Sequence, residues 1–154
     1  VDVIQIMRKI VIRVESSPLI RKYDQAPQNK NDRFITKSTC YHAALMATEI
    51  EAKAICTLTN SGYTAYQISA WRPDSSILVF TSNKRILSQL NLLWGVKCHY
   101  YERFVSTDET VLDVNHIAKE KGYVKAGDTL VNLLAMPVAN KGMVNTLRVS
   151  VIKD

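Results

Sequence analysis

Thr59-Asn60-Ser61-Gly62-Tyr63-Thr64-Ala65 is the stretch on which the reading of this chain turns. The short apolar run Ala54-Ile55-Cys56-Thr57-Leu58 precedes it, and a helical pattern ending at Trp71-Arg72-Pro73 follows. The heptapeptide is therefore a turn between a strand and a helix. A helix N-terminus presents unpaired N–H groups and the positive end of the helix dipole, which together receive phosphate. The hydroxyls of Thr59, Ser61 and Thr64 add donors, and Gly62 lets a ligand approach the backbone. The same residues also serve as an ordinary helix cap with nothing bound, and from the turn alone both readings stand.

Outward from this turn the chain alternates between the two periods. Toward the N-terminus, residues 37–50 predict a helix with Cys40, Ala43, Ala44, Ala47 and Ile50 facing inward. Toward the C-terminus, residues 77–81 form a nearly continuous apolar run, as in a parallel strand covered on both faces. A helix over 83–93, a strand over 96–101 and a helix opened by the capping box Ser106-x-x-Glu109 come next. Gly122 is a left-handed helix stop, and Ala126-Gly127-Asp128 turns into a strand over 129–134. Residues 145–153 are the last strand. This order predicts a three-layer α/β/α fold with a five-stranded, mostly parallel sheet whose last strand is antiparallel. Ligands then belong beyond the carboxyl ends of the strands, where the 59–64 turn and the loop over 136–145 can share one pocket.

At the front, Val3, Met7, Ile10 and Val14 make one helical stripe over residues 3–15. Residues 16–35 are polar and contain Pro18 and Pro27, so they read as a linker and a boundary. The organisation expected is a helix over 1–15, a linker over 16–35 and a domain over 36–154. The chain starts inside an amphipathic pattern without an initiator Met, so a fragment or processed piece is expected.

The 154 residues suit one core, and the formal charge is +6. The basic residues are scattered, as at Arg8-Lys9, Lys84-Arg85 and Lys119, with no aromatic-interleaved stripe, which argues against a nucleic-acid partner. No apolar run approaches the roughly 20 residues of a membrane span, so no membrane partner is expected. Cys40, Cys56 and Cys98 each sit among apolar residues and form no C-x-x-C pair. They read as buried thiols in a reducing cytoplasm. His42, His99 and His116 are tied to no carboxylate or cysteine by spacing, Asp113 reads as solvated, and no metal set or catalytic constellation emerges.

The motifs taken in order resemble a known family. Thr59-x-Ser61-Gly62-x-Thr64-Ala65 is followed by Trp71-Arg72-Pro73 and by a strand ending in Thr81. Trp94-Gly95-Val96, Gly127-Asp128 and Asn145-Thr146-Leu147-Arg148-Val149 complete the series. Over residues 33–154 this is similar to the C-terminal alpha/beta domain of pyruvate kinase, and Val3-Ile4-Gln5-Ile6-Met7 resembles the last helix of the catalytic barrel before it. The resemblance implies a regulatory and oligomerisation domain without catalysis of its own. Its parent would transfer phosphoryl from phosphoenolpyruvate to ADP with magnesium and potassium, as a cytoplasmic tetramer. The partners implied are the barrel of the same polypeptide, further copies of the chain and a phosphorylated effector.

The resemblance puts that effector, a sugar phosphate or nucleotide, on Thr59, Asn60, Ser61, Gly62, Tyr63 and Thr64, with Lys141 and Gly142 from a second loop. Tyr63 stands where many members carry Arg or Lys. The second loop, Met136-Pro137-Val138-Ala139-Asn140-Lys141-Gly142-Met143-Val144, lacks the tryptophan–arginine–proline start of several bisphosphate-regulated members. Two alternatives remain open at this stage: a stand-alone binder of phosphorylated metabolites, and a pure subunit-interaction domain whose effector site has decayed.

Overall fold

Five strands make one sheet in a computed structural model that describes residues 2–20, 26–28, 31–103, 106–137 and 143–153. They are β1 (Ala54–Leu58), β2 (Ser76–Thr81), β3 (Val96–Tyr100), β4 (Thr129–Leu134) and β5 (Thr146–Val151). Their spatial order is β3-β2-β1-β4-β5. All neighbours are parallel except β4 and β5, which pair antiparallel with Leu134 opposite Thr146. The architecture is the one expected from the alternating pattern.

The helices are α1 (Asp2–Glu15), α2 (Phe34–Glu49), α3 (Tyr63–Ala70), α4 (Leu87–Leu90) and α5 (Thr107–Glu120). Crossovers run outward from β1 to β3, then jump back across β1 to β4. Right-handed crossovers travelling in opposite directions place their helices on opposite faces. The packing agrees. Ile55, Val79, Val131 and Leu133 meet Cys40, Ala43 and Ala47 of α2, Ala65 and Ile68 of α3, and Leu90 of α4. On the other face Cys56, Leu78, Phe80 and Leu130 meet Val114 and Ala118 of α5. The alanines let α2 lie close to the sheet.

Local chemistry sets the ends. Ser106 Oγ accepts the Glu109 N–H at 3.2 Å and caps α5. The Glu109 carboxylate then receives the Ser106 hydroxyl, a variant of the reciprocal box. Gly122 at φ 71 stops α5, with Tyr123 N–H returning to Ala118 and Gly122 N–H to Lys119, as in a Schellman motif.

Several expectations need correction. α2 begins at Phe34, three residues before the expected start at 37, so part of the supposed linker is helix. Ile50 is 39% exposed because α2 ends at Glu49 and the residue falls outside the packed stripe. The expected helix over 83–93 is a 3-10 turn, Lys84–Ile86, and the four-residue α4. Asn91 ends it by turning its side chain outward: its amide donates to Leu87 O and its carbonyl accepts Cys98 N–H at 2.8 Å. Leu112 of α5 is exposed. Asp113 is half-buried, not solvated; it accepts from Tyr101 Oη at 3.2 Å and lies 3.5 Å from Arg103.

α1 has no buried residue, and its apolar stripe is uncovered, with Val3 69% and Ile10 58% exposed. Trp94 Nε1 donates to Glu15 at 2.9 Å and so ties the end of α1 to the body.

Candidate functional site

β1 ends where its backbone is last held, by Thr59 N–H to Phe80 O at 3.0 Å. The chain then has to reverse into α3. Gly62 makes this possible at φ 82, and its buried Cα leaves no room for a side chain: a Cβ there would lie 2.9 Å from Leu90 Cδ2. Thr59 Oγ1 accepts Gly62 N–H at 2.9 Å, and Ser61 Oγ accepts Tyr63 N–H at 3.4 Å. Both hydroxyls are therefore spent as acceptors inside the turn, while each keeps its proton to donate outward. Asn60 and Ser61 are exposed, Thr59 and Tyr63 half-buried, and Thr64 is buried at the start of α3. Asn83 Nδ2 donates to Asn60 O at 3.1 Å, bracing this turn against the one after β2.

The strand order reverses between β1 and β4, because β2 and β3 lie to one side of β1 and β4 to the other. Open α/β sheets bind ligands at such a switch point, in the crevice beyond the carboxyl ends of the two strands. The 59–64 turn leaves β1 there, and the loop after Leu134 leaves β4 beside it. The base of that loop is clamped: Asn145 Oδ1 accepts Met136 N–H at 2.8 Å, and Asn145 Nδ2 donates to Met136 O at 2.9 Å. Its tip, including Lys141 and Gly142, lies outside the described residues.

α2 joins this crevice, which the sequence reading missed. Thr36, in its first turn, donates from Oγ1 to Val144 O at 3.3 Å and so holds the end of the second loop. Arg33, the residue before α2, places its guanidinium carbon 4.4 Å from the centroid of the Tyr63 ring. Beneath them Thr57 shares a face with its register partners Val79 and Leu133. Its hydroxyl is fully buried and has no hydrogen-bond partner. The signal that could have found Arg33 and Thr36 was their position: a helix running into the N-terminal end of β1 must begin at the carboxyl end of the sheet.

The other titratable groups lie elsewhere. His42 is exposed, with Nδ1 2.8 Å from Ser38 O. His116 stands 3.6 Å from Glu120. His99 is held between Phe80 and Tyr123, with ring centroids at 5.8 and 5.5 Å. Its pKa is lowered, first by burial and then by Lys121 and Lys97. Burial pushes the Cys40 and Cys56 thiols up to about 12 and raises that of Cys98. Among the described residues no three His, Cys, Asp or Glu side chains come together as a metal site would require.

Comparison with known proteins agrees with the fold. A family model described as the pyruvate kinase alpha/beta domain matches residues 37–150. A pyruvate kinase of Lactobacillus delbrueckii subsp. bulgaricus is 35% identical over 106 residues, which cover 69% of this chain and 18% of that protein. A pyruvate kinase of Geobacillus stearothermophilus is 30% identical over all 154 residues, 26% of its own length. The solved structure of a pyruvate kinase from Cryptosporidium parvum superposes with a TM-score of 0.70 at 22% identity. That superposition covers 81% of this chain and 23% of the other, and at that identity it speaks for the fold alone. The chain thus spans 18% to 26% of the length of these curated relatives.

Proposed function

The chain belongs to the pyruvate kinase alpha/beta domain family, and on that premise we propose that it is the effector-binding and subunit-contact domain of a pyruvate kinase. The observation that supports the effector reading is the switch point itself: the 59–64 turn leaves β1 beside the clamped base of the loop that leaves β4. The ligand is a sugar phosphate or nucleotide: phosphate on the start of α3, the remainder toward the second loop. Thr59, Ser61 and Thr64 donate hydroxyl protons, Asn60 and Gly62 shape the turn, and Lys141 and Gly142 are the contribution expected of the second loop. The parent, a cytoplasmic glycolytic enzyme, would transfer phosphoryl from phosphoenolpyruvate to ADP. Magnesium and potassium would be held by the catalytic barrel of that polypeptide. The uncovered stripe of α1 fits the same view, as the face turned toward a preceding barrel.

Assembly is proposed through β5. It is an edge strand, and its residues Val149 and Val151 are 44% and 60% exposed. An unpaired edge with apolar side chains invites a second copy across a two-fold axis. Titrating inorganic phosphate while following amide shifts tests the site: residues 61–64 should move first. Unmoved signals there would remove the effector reading and leave the interaction domain, for which sedimentation would then be the deciding measurement.

A further inference from the structure

Residues 59–65 collect N–H and hydroxyl donors but contain no lysine or arginine. A phosphate monoester seated there carries nearly two negative charges near neutral pH, so the turn by itself supplies geometry without counter-charge. Arg33 is positioned to supply it. Its guanidinium carbon lies 4.4 Å from the centroid of the ring of Tyr63, the first residue of α3. Its own N–H is tied to Asn31 Oδ1 at 3.2 Å, which fixes the backbone from which the side chain springs. The residue is exposed, and none of the ion pairs among the described residues includes it. A cation held over an aromatic face is attracted by the ring quadrupole, which leaves its N–H donors uncommitted. In the core layer below, on the sheet face covered by α2 and α3, the Thr57 hydroxyl is buried without a hydrogen-bond partner.

Building on the phosphate reading above, we propose that Arg33, held in place by Tyr63, is the cation of the switch-point site and selects phosphate monoesters for it. Tyr63 then acts as the holder and Arg33 as the contact. The same short segment carries Thr36, which grips Val144 at the end of the second loop. A ligand that engages Arg33 therefore links the start of α2, the start of α3 and the loop from β4 in one set of contacts.

The test is calorimetry of the whole chain and of Arg33→Ala, Arg33→Lys and Tyr63→Leu, with inorganic phosphate and glucose 6-phosphate as probes. Amide shifts are followed in parallel. Arg33→Ala should weaken both probes by about tenfold and flatten the salt dependence of binding. Arg33→Lys should restore the salt dependence but only part of the affinity, since an ammonium cannot match the guanidinium fork. Tyr63→Leu should weaken binding about threefold, and adding it to Arg33→Ala should cost nothing more, because the two act as one unit. If Arg33→Ala binds within about twofold of the parent chain while residues 61–64 still shift, the crevice binds phosphate but Arg33 is not its cation. If residues 61–64 do not shift in the unaltered chain, the phosphate reading falls and this inference falls with it.

Discussion

Replacing Gly62 by alanine probes the left-handed turn into α3, and the expected loss follows from its geometry. An L-residue at φ 82 sits in the left-handed region, at a cost of about 1–2 kcal/mol. The added Cβ would also stand 2.9 Å from Leu90 Cδ2. That methyl is the far end of a flexible side chain, but Leu90 is only 1% exposed and packs in the core under α3, so its freedom to swing is small. Overpacking of this kind adds about 1–2 kcal/mol. Gly62→Ala should therefore destabilise by about 2–4 kcal/mol, lowering the melting temperature by roughly 5–12 °C. Urea unfolding should show a lower midpoint with an unchanged slope. The two contributions separate in a Leu90→Ala background, where the clash is gone and only the backbone strain of about 1–2 kcal/mol should remain. A loss below about 0.5 kcal/mol in the parent background, the range of neutral surface changes, would refute both the left-handed conformation and the contact with Leu90.

Stability should fall in acid through His99. Its folded pKa is lowered, so above the ordinary value of 6.5 both states are neutral and the group is indifferent to pH. As pH drops through 6.5 the unfolded chain takes its proton first, and stability declines until the lower folded value has also been passed. His99→Phe, which keeps the aromatic contacts to Phe80 and Tyr123, should flatten this part of the stability–pH curve; an unchanged slope would show that other groups carry it. Asn145→Ala should cost about 1–3 kcal/mol, because it leaves both polar groups of Met136 without their clamp, and urea unfolding measures it. The buried thiols of Cys40 and Cys56, pushed up to about 12, should resist a neutral thiol reagent until the chain unfolds; rapid labelling of either in the native state would contradict their burial.

The elements that were legible in the sequence are those whose signal is local. Ile77-Leu78-Val79-Phe80 is apolar without alternation because both faces of β2 are covered, and that needs no knowledge of its neighbours. Ser106 and Gly122 announce the two ends of α5 by their own chemistry. The misreadings arise where a distant contact overrides the local pattern. Phe34 and Ile35 look like the end of a polar linker, yet helix begins there because the first turn of α2 is fastened to Val144, 108 positions away, through Thr36. The leucine-rich run 83–93 keeps helical spacing, yet the Asn91 side chain binds the edge of β3 and the helix stops after one turn.

The crevice shows the same limit from the other side. Helix–strand alternation implies a parallel sheet but not the order of its strands, and a pocket arises only where the order reverses. Had β4 continued outward beyond β3, the 59–64 turn and the loop after Leu134 would stand at opposite parts of the sheet and could share no ligand. It is the return of the chain to the far side of β1, through α5 on the opposite face, that brings them together. Arg33 enters for a related reason. α2 must reach the N-terminal end of β1, so its own N-terminus lies at the carboxyl end of the sheet, beside that of α3. Two helix starts and two loops thus converge because each connection has to cross the sheet before the next strand can begin. The charge that the 59–65 turn lacks is carried by a residue that stands next to it in space and 30 positions away in sequence.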